Sequence, residues 1–162
     1  MNILWIDLET SGLSVCYDRI VQIAVIYKGK SQTLLINPEV EIPSQATAVH
    51  HIHQKDVINA PKFGNIAPKL MNMIEDCEYI GGYNIDSFDL PMLYCHFLRL
   101  EMHMPKKPTL DIFKMVKLHE GSKKLKDVYA RYIGKELKGA HDASIDTQGC
   151  KEVYEYLIKQ ME

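Results

Sequence analysis

Apolar residues crowd the start of the chain. Residues 2–8 (NILWIDL) form a run rich in strand formers and predict a buried strand. Residues 19–28 (RIVQIAVIYK) are β-branched and partly alternating, and residues 32–37 (QTLLIN) repeat the pattern, giving a second and a third strand. The spacer KGKS joins these two as in an antiparallel hairpin. The stretch 37–46 (NPEVEIPSQA) carries two prolines and reads as a connecting loop. The period then changes. Ile66, Leu70, Met73 and Ile74 recur at helical spacing within 64–75, and 78–84 (EYIGGYN) is a short strand that ends at a glycine pair. Residues 88–101 continue as a helix with Pro91 in its first turn, where proline is tolerated. Residues 109–118 and 122–133 give two more helical stretches. Residues 142–161 give a long amphipathic helix that buries Ile145, Val153, Tyr156 and Leu157. Strands first and helices later, with one strand returning, predict an α/β layer structure in a single domain over 1–162.

Composition narrows the class. The chain is 46% apolar and 25% charged, as globular proteins are. A net charge of −2 argues against a globally basic nucleic-acid binder and leaves a local basic patch open. Four cysteines (Cys16, Cys77, Cys95, Cys150) stand far apart with no CxxC pair. That argues against a disulfide framework or zinc ribbon, and for a reducing, cytoplasmic setting. The first residues lack the basic flank of a signal peptide, and no apolar run is long enough to predict a membrane span.

Candidate chemistry begins in WIDLETSGL, residues 5–13. Side chains two apart on a strand share a face, so Asp7 and Glu9 project together. Adjacent carboxylates repel and raise each other's pKa unless a cation neutralises both. Alone, the pair reads more readily as a solvated strand end before a turn at Thr10-Ser11-Gly12. Two later blocks add to it. GYNIDSFDLPML at 82–93 sets Asp89 at a helix start, and GAHDASIDTQGC at 139–150 holds His141 and Asp146. Within one regular helix, five residues turn through about 500°, leaving His141 and Asp146 about 140° apart. With Asp142 as N-cap, the helix begins at Ala143, Asp146 sits in its first turns, and His141 stands on the loop before it.

Taken together, the blocks DLET, FD and HDASID, in this order, resemble the DEDDh class of 3′-to-5′ exonucleases in the DnaQ-like proofreading superfamily. The stretch NPEVEIPSQATAVHHIHQKDV is similar to a further segment of that family, and the resemblance covers residues 3 to about 158. It implies a ribonuclease H-like α/β fold, with a mixed central sheet flanked by helices. It implies Asp7, Glu9, Asp89 and Asp146 as ligands of two divalent cations, Mg²⁺ or Mn²⁺, and His141 as general base. It also implies Thr10, Leu13, His50, Ile52 and Asn84 as substrate contacts. Asn84 is preceded by Tyr83 where the family often has histidine, and Asp86 competes with Asp89 for the ligand role.

The implied reaction is hydrolysis of phosphodiester bonds at the 3′ end of single-stranded or frayed nucleic acid, DNA favoured, with release of nucleoside monophosphates. An oligoribonuclease-like enzyme acting on RNA is the alternative. So are a proofreading subunit serving a polymerase or repair partner in trans, and a non-catalytic nucleic-acid-binding module. Three further features have two readings each. Leu13 and Ile52 suit core packing as well as substrate contact. His50, His51 and His53 offer imidazoles for zinc, yet align with a family loop. Lys106, Lys107, Lys114, Lys117, Lys123, Lys124 and Lys126 form either a solvated face or a phosphate-tracking rim.

Overall fold

Strand β1 (Ile3–Thr10) lies at the centre of a five-stranded sheet, with β2 (Ile20–Tyr27) and β3 (Lys30–Leu35) on one side and β4 (Tyr79–Gly82) and β5 (Thr109–Asp111) on the other. The computed structural model describes residues 1–116 and 121–160. The pairs β1–β2 and β2–β3 are antiparallel, and β1–β4 and β4–β5 are parallel, so the sheet is mixed as expected. All eight residues of β2 are buried, which its apolar, β-branched sequence allows.

Alternation along β1 sorts the core into two layers. Leu4, Ile6 and Leu8 face α3 (Phe63–Asp76) and α4 (Asp89–Arg99), packing with Leu70, Ile74, Met92 and Phe97. Trp5 points the other way, with Ile26 and Ile112, toward Val128 of α6 (Leu125–Ile133) and Val153 and Tyr154 of α7 (Ala143–Lys159). Asp7 and Glu9 continue the Trp5 face, so the sheet itself aims both acids at the layer that carries α7. A third cluster, Val21, Ile42, Ile52 and Val57, seats two short helices, α1 (Ser44–His50) and α2 (Gln54–Val57).

The glycine pair of β4 is a matter of space. A Cβ on Gly81 would stand 2.6 Å from the Trp5 ring, and one on Gly82 would meet the Ile6 carbonyl at 2.8 Å and the Ile85 side chain at 2.0 Å. Bare backbone there lets the parallel strands close over the turn that follows.

Some elements differ from the sequence reading. Of the stretch 109–118, residues 109–111 are strand β5 and Ile112–Met115 is helical, as α5, while 117 and 118 lie outside the described residues. Thr109–Leu110–Asp111 completes the ladder of Ile80–Gly82, and three residues are too few for periodicity to tell strand from helix. The helix read at 122–133 begins at Leu125, after an extended Lys124. Tyr156 is exposed rather than buried and lies against Tyr132. No helix among the described residues is long and apolar enough to cross a membrane.

Candidate active site

Beyond Trp5 the parallel partner of β1 ends, and β1 runs on paired with β2 alone. Pairing between β1 and β4 stops at Trp5–Gly81, leaving the Leu8 N–H without a strand partner on that side. Asp89, the first residue of α4, supplies one: its buried Oδ1 accepts from the Leu8 N–H at 3.1 Å. Asp7 and Glu9 flank this point on the opposite face.

Asp146 arrives from α7. Asp142 caps that helix, its carboxylate accepting from the Ser144 N–H at 2.9 Å, as the sequence predicts. Asp146 lies in the first turn. Its Oδ2 accepts from the backbone N–H of His141 at 3.0 Å, while its buried Oδ1 has no hydrogen-bond partner among the described residues. His141 is exposed and holds a left-handed backbone, φ 72°, that turns the chain into the helix. Helix and sheet are joined beside the site by Gln22, whose Oε1 accepts from the Ala143 N–H at 3.0 Å and which pairs with Glu9 across the ladder.

Asp7, Glu9 and Asp146 each present a carboxylate oxygen such that all three lie within 4.8 Å of one another. Burial first, and then the neighbouring acids, push the Asp7 carboxyl well above its ordinary range. The same causes raise Glu9 to about 8, and burial raises Asp89 to about 7 and Asp146 above its usual value. The sheet and α7 hold these side chains where their charges oppose one another. Hard oxygen donors, an unpartnered buried Oδ1 and uncompensated negative charge fit a divalent cation of the Mg²⁺ or Mn²⁺ kind.

The acids line an open cleft of ≈ 670 Å³, whose walls include His141, Leu13, Asn84, Phe88, Lys124 and Lys126. Asp86 is outside it, paired with Lys114. Asn84 has φ 58°, and its N–H donates to Asp111. Leu13 is 86% exposed, so core packing does not account for it. Ile52 is the opposite case: it is buried in the α1–α2 cluster and lines neither the cleft nor its extension. Thr10 and His50 lie in that extension beside Leu13 and Phe88. The Thr10 hydroxyl donates to the Gly12 carbonyl at 2.6 Å, and His50 Nδ1 accepts from the Ile52 N–H at 3.1 Å. Burial lowers the His50 pKa.

The other two histidines of the triplet diverge. His51 ends α1 in a left-handed turn, and His53 caps α2 beside Asp56 at 3.5 Å. The lysines scatter as well. Lys107 donates to the Glu75 and Cys77 carbonyls, Lys114 holds Asp86, and Lys106 faces another groove. Lys124 and Lys126 reach the cleft; Lys117 lies outside the described residues.

Sequence reasoning missed Asp111. Its buried carboxylate accepts from the N–H groups of Asn84 (2.8 Å), Phe113 (3.1 Å) and Asp86 (3.3 Å), fixing the turn that delivers Phe88 and Asp89. An aspartate just before the apolar Ile112 was the available signal, as an N-cap. Gln22, the lone polar residue of β2, was another.

Comparison with known proteins places this geometry. The 3′-5′ exonuclease DinG of Staphylococcus aureus is 31% identical over 149 residues, which is 87% of this chain and 16% of that protein. DinG of Staphylococcus epidermidis is 29% identical over 118 residues, 70% of this chain and 13% of that protein. The chain thus spans about one-sixth or less of these relatives. Among solved structures, the zinc-bound E. coli ExoI–ssDNA complex superposes with a TM-score of 0.89 at 18% identity, over 98% of this chain and 40% of that one. Another E. coli exonuclease I complex, with an oligonucleotide, gives 0.86 at 19%, over 98% and 41%. The likeness shows a shared fold, the ribonuclease H-like α/β sheet that the sequence led us to expect. The model of the exonuclease family RNase T matches residues 4–154. Since that match runs from the first strand into the last helix, and takes in every side chain of the cleft, this chain belongs to the exonuclease family.

Proposed function

We propose that the chain is a metal-dependent 3′-to-5′ exonuclease that removes nucleoside monophosphates from the 3′ end of single-stranded DNA. The observation that carries this is the convergence of Asp7, Glu9 and Asp146 around an unpartnered Asp146 Oδ1, in an open cleft. The polarity and the polymer are supported by the relatives, which include the 3′-5′ exonuclease DinG and an exonuclease I complex with single-stranded DNA.

Asp7, Glu9 and Asp146, with Asp89 behind them, would hold two divalent cations, which supply charge to offset the phosphate and lower the pKa of water. The protein's own groups do the rest. His141, on the loop at the cleft wall, takes a proton from the attacking water, a role suited to an imidazole at neutral pH. The Asp146 carboxylate fixes that loop through the His141 N–H. Leu13 and Phe88 offer apolar faces to the terminal base, and Lys124 and Lys126 meet the phosphates behind it.

The test is digestion of 5′-labelled single-stranded DNA and of the same sequence as RNA, with Mg²⁺, Mn²⁺ or EDTA. The expected result is a ladder shortening from the 3′ end of DNA, abolished by EDTA and absent in Asp7→Ala and His141→Ala. Faster shortening of RNA would overturn the DNA assignment. No cleavage of either polymer with any metal would overturn the enzyme.

A further inference from the structure

Away from the cleft, two thiols meet. Cys16 is exposed in the loop between β1 and β2, and Cys95 is partly buried on α4. They are 79 residues apart in sequence, yet their Sγ atoms stand 3.1 Å apart. A disulfide bond is about 2.05 Å long, so an approach of about 1 Å separates contact from bond. Both residues open on a groove with Val15, Leu90 and Tyr94, through which a small oxidant can arrive. Arg99, one turn along α4, donates to the Cys16 carbonyl, while the contact with the Cys16 thiol, and then burial, hold the Cys95 thiol above its ordinary pKa, with the Arg99 cation the smaller, opposing influence. The loop is firmly built: the Asp18 carboxylate accepts from the Ser11 hydroxyl at 2.9 Å and the Ser14 N–H at 2.8 Å. The two sulfurs therefore meet across a defined contact between two braced elements.

We propose that Cys16 and Cys95 are an oxidation site: a dithiol that closes to an intramolecular disulfide on meeting a hydroperoxide, fastening the loop that carries Leu13 to the helix that begins at Asp89. Cys16, the exposed thiol, reacts first. Its thiolate attacks one peroxide oxygen, the O–O bond breaks, and the alcohol (water, for hydrogen peroxide) leaves, so that Cys16 becomes a sulfenic acid. The Cys95 thiolate then attacks the Cys16 sulfur. The S–O bond breaks, and the hydroxide leaves as water with the proton that the thiol gave up. Two thiols and one hydroperoxide yield one disulfide, one alcohol and one water. The sulfurs lose two electrons in all, and the peroxide gains two. A reducing compartment returns the pair to thiols by exchange, so the bond is transient by nature.

The experiment treats the full chain with hydrogen peroxide, alkylates the remaining thiols and measures intact and peptide masses. The expected result is loss of two of the four thiols and of two hydrogens in mass, with a peptide linking Cys16 to Cys95. The melting temperature should rise by several degrees, because the new ring closes a long loop, and dithiothreitol should reverse every change. Cys16→Ser should give neither the linked peptide nor the rise. It is an exposed substitution, so it keeps the test valid if Cys95→Ser does not fold. Four thiols still titrating, a bond that involves Cys77, Cys150 or a second chain, or oxidation of Cys16 with no linked peptide would each overturn the proposal.

Discussion

Glu9 ties the charge of the site to solution conditions. Its carboxyl sits at about 8 in the fold, against an ordinary 4.5. Between those values the folded chain keeps a proton that the unfolded chain has released. The stability this group contributes is full below about pH 4.5 and lost as pH rises through about 8. Asp89, at about 7, adds a change of the same sign. Metal-free protein should therefore melt at lower temperature at about pH 9 than at about pH 6, and Mg²⁺ or Mn²⁺ should restore the melting point, most strongly at the upper end. Scanning fluorimetry with and without EDTA measures this. Asp7→Asn should raise the metal-free melting point, remove the metal-induced rise and cut hydrolysis by roughly 10³-fold, since a bound cation supplies several kcal/mol to such a reaction. His141→Gln should separate the two effects: kcat falls by about 10²–10⁴-fold, and the metal-induced rise survives.

Single elements place these residues, and the turn after β4 is the most exacting. Asp111→Ala would strip the acceptor from three N–H groups at once, at about 1–3 kcal/mol for each left buried and unsatisfied. Urea denaturation should show a loss of at least about 2 kcal/mol, and kcat should fall as Asp89 loses its seat. Gly82→Ala should destabilise by about 1–3 kcal/mol, because the Ile6 carbonyl that its Cβ would meet belongs to the central strand and cannot retreat. The strands and long helices around this turn were legible in the sequence, because each runs through several periods of its own pattern. Asp142 and Asp146 were legible because a cap and a first turn are local events. Strand β5 was not, since its state depends on backbone partners supplied by Ile80–Gly82. Neither were α1 and α2, of seven and four residues, which owe their order to the cluster beneath them.

At the scale of the molecule, charge is arranged against its own sum. A chain of net −2 sets its acids on a cleft floor and brings Lys124 and Lys126 to the wall. The lysine-rich stretch could be read from the sequence, but its division of labour could not, because Lys107 and Lys114 find their partners only when α3 and the turn at Asp86 pack near them. Removing Lys124 and Lys126 together should reduce the salt slope of single-strand binding by about 1–2, measured on Asp7→Asn protein to prevent digestion. An unchanged slope would return both to the solvated face. The two sides of the site also come from far apart in the chain, Asp7 from the first strand and Asp146 from the last helix. A ribosome delivers them in that order, and the sheet can begin to fold long before α7 clears the exit tunnel. Throughout that interval the emerging polypeptide has Asp7 and Glu9 but no Asp146, and the loop of His141 has nothing to hold it. A product that stops short of residue 146 therefore never assembles the three-carboxylate cluster.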